Sequence, residues 1–198
     1  MHYSKSDIVK LHKKYAPSDM VYELVFTHSQ IVFEIAKQLI DGGGIKLDEE
    51  TVYLAAMLHD VGVYPLLDKN GDLIDGKNYI THSIEGENIL KSEGFPEVIY
   101  RVASHHTGVG ISKADITRFN LPLPLTDYFA DSDLELIVMY ADKFHSKTTP
   151  PYFNSFEWFK KDIAKFGDQK VAKFEEISRR FGVPELSYLS EKYSFNIR

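Results

Sequence analysis

Apolar residues recur at intervals of three and four along most of the chain, which is the spacing of amphipathic helices. The longest such run covers residues 21–39, and the glycines at 42–44 predict where that helix ends. A second helix is expected over residues 48–60, because the Asp48 side chain can accept hydrogen bonds from the first free amides. The pattern therefore predicts helices as the main elements of the fold.

Six further helices are expected downstream of these two. They cover residues 80–92, 96–106, 113–119, 132–146, 155–166 and 168–181. Residues 67–73 contain Asn70-Gly71, a strong turn dipeptide, and are expected to form a turn or short hairpin. No repeat, low-complexity tract or long linker divides the chain. We therefore predict an all-α, single-domain protein spanning residues 1–198.

Composition limits the classes of function. The 198 residues carry a formal net charge of -6, which argues against nucleic-acid and anionic-membrane partners, because those need basic surfaces. The chain has no cysteine, so disulfides and thiolate metal sites are excluded. A bound metal would need imidazole and carboxylate ligands, a donor set that favours iron, manganese, zinc or magnesium.

The expected location is the cytoplasm. Residues 1–14 mix charged and apolar side chains and lack the apolar run of a signal peptide. No later stretch approaches the roughly 20 apolar residues of a membrane span.

Two polar side chains fall on faces that the apolar pattern turns inward. His28 continues the stripe of Val21, Val25 and Ile31, and Asp142 lies four residues after Val138 on the inner face of its predicted helix. Burying an ionised carboxylate without a partner would cost on the order of several kcal/mol. His28 alone could be a hydrogen-bonded core histidine, but a divalent cation would satisfy both groups together.

The chain offers more ligands of the same type. His59 and Asp60 are adjacent at a predicted helix end, and His82 and His105 follow on further predicted helices. Imidazoles and carboxylates from different helices can converge on one site, and the Asp60 carboxylate could bridge two metals. This ordered set predicts a metal centre.

The same residues carry a family resemblance. His28, His59-Asp60-Val61-Gly62, His82, His105-His106-Thr107-Gly108 and Ala141-Asp142 resemble, in this order, the HD superfamily of metal-dependent phosphohydrolases. The resemblance covers residues 20–147 and implies an HD-type helical bundle, with residues 150–198 as a C-terminal helical extension. It also implies divalent metal ions, two in members with the extra histidines.

The resemblance assigns the ligands to two sites. Metal one would be held by His28, His59, Asp60 and Asp142. Metal two would share Asp60 and add His82, His105 and His106. For His106, a supporting hydrogen bond or a helix cap is the alternative to direct ligation.

Four side chains are candidates for contacting the substrate: Thr107, Arg118, Lys143 and Lys147. Lys143 follows Asp142 directly and, with Asp60, is also a candidate catalytic residue. The lysines and Arg118 would stabilise charge on a phosphoryl group, and Thr107 would donate a hydrogen bond. The alternatives are a solvated face for the two lysines and an ion pair with Asp115 for Arg118.

The expected activity is cleavage of a phosphoester or phosphoanhydride in a small, nucleotide-like substrate by a metal-activated hydroxide. A di-iron oxygenase of the same superfamily and a non-catalytic nucleotide-binding protein are the alternatives. A cyclic dinucleotide is not assigned, because the Gly-Tyr-Pro signature of that branch is missing. Gly108 and Gly110 lie in a His-Thr-Gly-Val-Gly segment that resembles the dinucleoside-tetraphosphate hydrolases of this superfamily. The C-terminal third of the chain does not resemble theirs.

The remaining histidines are given no role in the metal centre. His2 and His12 are expected in solvent, and His145 is expected to interact with the dipole at a helix end. An aromatic group is expected to pack the C-terminal helices or to form a homodimer contact, rather than to stack on bases. Its members are Tyr152, Phe153, Phe156, Trp158 and Phe159.

Overall fold

The computed structural model describes residues 3–198, and helices make up most of that part of the chain. The α-helices are α1 (Lys5–Tyr15), α2 (Asp19–Gly43), α3 (Glu49–Leu58), α4 (His82–Ser92), α5 (Glu97–His105), α6 (Lys113–Arg118), α7 (Asp133–Asp142), α8 (Phe156–Ile163), α9 (Asp168–Phe181) and α10 (Ser187–Tyr193). The strands are β1 (His145–Ser146), β2 (Tyr152–Phe153) and β3 (Asn196–Ile197). Short 3-10 helices cover Val61–Leu66, Tyr79–Thr81 and Ala164–Phe166. The all-α prediction is confirmed.

Helix α2 runs through the middle of the bundle and contacts α3, α7 and α9. Its predicted apolar stripe is buried, and Val21, Val25 and Ile31 have no exposed surface. Gly44 ends the helix with a positive φ of 63°, a left-handed conformation that glycine adopts without strain. The long helix predicted from the spacing is confirmed, together with its glycine end.

Helix α3 brings the His59-Asp60 pair to the centre of the bundle. It begins as predicted after Asp48, whose carboxylate accepts a hydrogen bond from the Thr51 amide at 2.9 Å. The 3-10 helix Val61–Leu66 follows directly. The pair therefore lies at the junction of two helices, and both residues are fully buried.

Helix α7 ends at Asp142, earlier than the predicted end at residue 146. The chain then forms β1, in which His145 pairs with Phe153 of β2, and β2 in turn pairs in parallel with β3. Sheet pairing depends on residues distant in sequence, so the local pattern around residue 146 did not reveal it. Helices α1 and α10 and this small sheet were not predicted.

The other predicted elements are present. Helices α4, α5, α6, α8 and α9 fall within the predicted segments. Leu67 and Leu73 form an antiparallel bridge, which confirms the hairpin in this segment. One buried apolar cluster extends from Ile8 in α1 to Leu189 in α10. No helix within residues 3–198 is long and apolar enough to cross a membrane.

Gly62 sets the distance between the His59-Asp60 segment and α4. A Cβ built on Gly62 would lie 2.0 Å from the carbonyl oxygen of His82 and 2.2 Å from the amide nitrogen of Gly86. Any side chain larger than hydrogen would therefore push α4 away. This backbone contact fixes the position of His82 opposite Asp60.

Candidate metal centre

Four side chains from three parts of the bundle form the first ligand group. The Nε2 atom of His28 lies 3.1 Å from Oδ2 of Asp60 and 3.0 Å from Oδ1 of Asp142. His59 Nε2 lies 3.3 Å from the same Asp60 oxygen. One ligand atom from each of the four residues falls within 4.8 Å of the others, which is close enough to surround a single ion.

A second group shares Asp60. The Oδ1 atom of Asp60 lies 3.6 Å from Nε2 of His82 and 3.6 Å from Nε2 of His106. The two Nε2 atoms are 3.1 Å apart. The Asp60 carboxylate thus directs Oδ2 to the first group and Oδ1 to the second, as a carboxylate that bridges two metals would do.

His105 lies outside both groups. Its Nδ1 atom is 2.8 Å from the Ser104 hydroxyl and 3.0 Å from the Arg101 carbonyl oxygen. Successive residues of a helix point about 100° apart, so only one of the adjacent pair faces the cluster. The structure brings His106 into the second group and leaves out His105, which the sequence had favoured as the ligand.

Backbone carbonyls set the orientation of three candidate ligands. The Nδ1 atoms of His59, His82 and His106 each lie 2.7–2.8 Å from the carbonyl oxygen three residues earlier in the chain. When Nδ1–H donates to a carbonyl, the lone pair of the neutral ring is on Nε2. In their neutral form, all three rings would therefore present that lone pair to the Asp60 side of the cluster.

His28 is oriented by another histidine. Its Nδ1 atom lies 2.8 Å from Nδ1 of His145, and both rings are buried. Because Nε2 of His28 faces the carboxylates, its Nδ1–H would donate to His145, which then carries its own proton on Nε2. That Nε2 atom is buried and has no hydrogen-bond partner. The sequence had placed His145 at a helix end, and only the pairing of β1 with β2 brings it here.

Replacing His145 tests this contact. We expect His145→Leu to weaken metal binding about 10- to 100-fold, as other losses of a ligand's hydrogen-bond partner do. The melting temperature of the metal-free variant should change little, because removal of the unpartnered Nε2–H offsets the loss of the acceptor for the His28 Nδ1–H. Competition with a chromogenic chelator measures the affinity, and circular dichroism measures the melting.

The matched variant is His145→Asn, whose side-chain oxygen would lie near the position of Nδ1 and accept the same hydrogen bond. It should recover most of the metal affinity lost in His145→Leu. Wild-type affinity in His145→Leu would show that the contact does not orient His28.

Charges in the cluster are strongly perturbed by burial and by each other. Burial lowers the pKa of His82 to about 3, against the attraction of Asp60, so its ring is neutral. Burial also acts to lower the pKa of His59, but the Asp60 and Asp142 carboxylates outweigh it and raise that pKa to about 9. Both aspartates stay ionised, because nearby cations hold their pKa values well below the usual range despite burial.

Two lysines are the cations closest to these carboxylates. Lys147 forms an ion pair with Asp60, and Lys143 lies 2.6 Å from Oδ2 of Asp142. Their side chains are 16% and 6% exposed, so neither belongs to a solvated helix face. Both candidate substrate-binding lysines are therefore at the cluster.

The other two candidate substrate contacts, Thr107 and Arg118, have different surroundings from the lysines. The Thr107 hydroxyl oxygen is buried and has no hydrogen-bond partner. Arg118 is exposed on α6 with its guanidinium over the Phe119 ring. The alternative ion pair with Asp115 is also absent, because that carboxylate pairs with Lys170 at 2.6 Å.

The prediction that His12 lies in solvent is wrong. His12 is fully buried, with its ring nitrogens 2.7 Å from the Tyr64 hydroxyl and 2.7 Å from the Met57 carbonyl oxygen. Burial lowers its pKa to about 4. It supports the packing of α1 and is not a solvent-exposed residue; His2 lies outside the described residues.

The residues present fit a divalent cation. Oδ1 of Asp60 is buried without a hydrogen-bond partner, and the neutral imidazoles of the second group face it. Nitrogen and oxygen donors of this kind suit iron, manganese, zinc and similar ions. A cation here would supply the missing partner of Oδ1 and compensate the negative charges of Asp60 and Asp142.

A cavity of about 640 Å³ opens beside the first ligand group. Asp142, Lys143 and Lys147 line it near the cluster, and Trp158 and Arg198 line it from the C-terminal part of the chain. The volume is typical of small-molecule sites.

The sequence model of the HD domain family matches residues 25–147 of this chain, a segment that contains both ligand groups. The chain belongs to the HD-domain family. This match confirms the family resemblance that the order of the histidines and aspartates indicated.

Two relatives each match 125 residues of this HD-domain chain. A tRNA (cytidine(56)-2′-O)-methyltransferase of Picrophilus torridus is 31% identical over 125 residues, which are 63% of this chain and 32% of that protein. An uncharacterized protein of Methanocaldococcus jannaschii is 32% identical over 125 residues, 63% of this chain and 66% of that protein. The chain thus spans about a third of the first relative and about two thirds of the second.

A solved structure shares the fold. The HD domain of the L. monocytogenes phosphodiesterase PgpH superposes with a TM-score of 0.53 at 15% identity, covering 94% of this chain and 98% of that domain. At this identity the likeness establishes the HD fold and not the substrate.

Proposed function

We propose that this HD-domain protein is a metal-dependent phosphohydrolase that cleaves a phosphoester or phosphoanhydride of a small, nucleotide-like molecule. The observation that carries the proposal is the pair of ligand groups that share the Asp60 carboxylate beside a cavity lined by two lysines. Methyl transfer is not proposed, because the match covers only 32% of the methyltransferase.

His28, His59, Asp60 and Asp142 would hold one divalent ion, and Asp60, His82 and His106 would hold a second. Two such ions supply an activated water and neutralise charge on the attacking and leaving oxygens. No protein nucleophile is needed for this chemistry. The backbone-bonded imidazoles keep their Nε2 atoms in place, so the protein side of the site is preorganised.

Lys143 and Lys147 would act on the substrate. Lys143 is held by the carbonyl oxygen of His106 at 2.9 Å as well as by Asp142, so its ammonium is fixed between the two ligand groups. Lys147 forms an ion pair with Asp60. A bound metal would neutralise the Asp60 carboxylate instead, so the Lys147 ammonium would be free to contact a phosphoryl oxygen in the cavity. Both would stabilise negative charge as it develops during cleavage.

The test measures metal content and phosphate release together. Protein purified without chelators is analysed for metals, and phosphate release is followed with a nucleotide panel in air and under anaerobic conditions. We expect two metals per chain and release that does not depend on oxygen. His106→Ala should retain one metal, whereas the matched His105→Ala should retain two.

Each alternative gives a different result. Two irons with oxygen consumed and no phosphate released would replace the proposal with a di-iron oxygenase. Tight nucleotide binding without product would indicate a non-catalytic binding protein. Equal metal loss in His105→Ala and His106→Ala would overturn the assignment of the second ligand group.

A further inference from the structure

The outer wall of the cavity comes from residues beyond the segment that matches the HD domain. Trp158 and Phe159 reach it from α8, and Arg198 reaches it directly after β3. The family match ends at residue 147, so these side chains are features of the C-terminal extension of this chain. They are well placed to determine which substrate the neighbouring metal centre receives.

Arg198 is held by its backbone and by its side chain. Its amide donates to the Phe153 carbonyl oxygen at 2.9 Å, and its own carbonyl accepts from the Ser155 amide at 2.8 Å. Its Nε atom donates to Oδ1 of Asn154 at 2.8 Å. The guanidinium carbon lies 3.8 Å from the centre of the Trp158 ring, which fixes the plane of the group. Arg198 is therefore a preorganised cation.

Asn154 links this cation to the metal centre. Its side chain is buried, and its Nδ2 atom donates to the carbonyl oxygen of Lys143 at 2.9 Å. One amide therefore connects the guanidinium of Arg198 to the residue that follows Asp142. The spacing between Arg198 and the first ligand group is set by this short chain of hydrogen bonds.

The guanidinium has unused hydrogen-bonding capacity. Within residues 3–198 no carboxylate forms an ion pair with Arg198, and its terminal nitrogens have no hydrogen-bond partner. The one carboxylate of the outer wall, Asp162, is 2.8 Å from Lys165 and is compensated there. A planar guanidinium with free N–H groups matches the oxygens of a phosphate or carboxylate in a two-point contact.

We propose that the cavity binds substrates with two anionic groups: the phosphoryl group to be cleaved at the metal centre, and a second phosphate or carboxylate on Arg198. The inference rests on the proposed function for the first group. It gives the substrate class as doubly anionic small molecules such as nucleoside bisphosphates. Arg198 covers one face of the Trp158 ring, so a base cannot stack on that face.

Trp158 gives a direct measurement of binding. It is the only tryptophan of the chain, so its fluorescence reports occupancy of the cavity whether or not the ligand is cleaved. The metal-loaded protein is titrated with adenosine, adenosine 5′-monophosphate and adenosine 3′,5′-bisphosphate. Short mixing times at low temperature allow binding to be measured before the ligand is cleaved.

We expect the bisphosphate to bind about tenfold or more tightly than the monophosphate, the size of one or two charged hydrogen bonds. Arg198→Gln should abolish this preference, and Arg198→Lys should keep only part of it, since the charge remains but the planar fork is lost. The matched control is Arg118→Gln, which also removes a guanidinium stacked on an aromatic ring but does not line the cavity. That variant should keep the full preference.

Three results would overturn the inference: equal binding of both nucleotides by the wild type, an unchanged preference in Arg198→Gln, or adenosine binding as tightly as the bisphosphate, which indicates base recognition. Failure of the proposed function would look different. A bisphosphate preference that depends on Arg198, without any release of phosphate, supports the anion site and contradicts the hydrolase.

Discussion

Asp60→Asn should remove both metals from the chain and lower phosphate release by about 10³-fold or more. Asp60 supplies one oxygen to each ligand group, so neither group is complete without it. An asparagine keeps the shape of the side chain but replaces one oxygen by a donor and removes the negative charge. The ammonium of Lys147 also loses its buried partner. Metals per chain are measured by mass spectrometry, and turnover by phosphate release.

Asp115→Asn is the matched control for this variant. Asp115 also pairs with a lysine, Lys170 at 2.6 Å, but lies outside both ligand groups. Its metal content and turnover should stay within about twofold of wild type, a change that corresponds to less than 0.5 kcal/mol at about 1.4 kcal/mol per factor of ten. Two metals retained in Asp60→Asn would contradict the shared-carboxylate geometry.

Gly62→Ala should lower the free energy of unfolding of the metal-free protein by about 3 kcal/mol or more. The added Cβ meets backbone atoms at 2.0 and 2.2 Å, and backbone cannot swing aside as a flexible side chain does. Relief requires α4 to shift, which carries His82 away from Asp60. The variant should therefore also lose the metal of the second ligand group before that of the first. Urea unfolding measures the stability, and metal analysis the occupancy.

Gly42→Ala separates this steric effect from the general effect of replacing a glycine. Gly42 lies in the last turns of α2, and a Cβ there would meet nothing within 4 Å. Alanine should leave the stability unchanged or raise it by about 0.5–1 kcal/mol. If Gly62→Ala is as stable as Gly42→Ala, the close contact between the 3-10 helix and α4 is not required for the fold.

The helices were predictable because their information is local. The inward stripe and glycine end of α2 and the Asp48 cap of α3 each depend on residues within a few positions of one another. The same local pattern placed His28 and Asp142 on inner faces, where chemistry requires a partner. The residue types then indicated a metal centre, and their order indicated the family.

For the adjacent pair His105-His106, the local pattern could not predict which residue is the ligand. Both residues suit a ligand, and the rotation of α5 by one residue decides which of them faces Asp60. That rotation is set by packing against α4 and α7, so it depends on contacts between helices.

Residue spacing and ordered motifs were sufficient to predict the helical class, the HD family and the residue types of the candidate metal centre, because these features are encoded over short stretches of the chain. Tertiary structure decided the contact of His145 with His28, the burial of His12 and the place of Arg198 in the cavity wall. Each of these depends on how segments far apart in the chain pair and pack, and the residue pattern within a single segment does not specify such contacts.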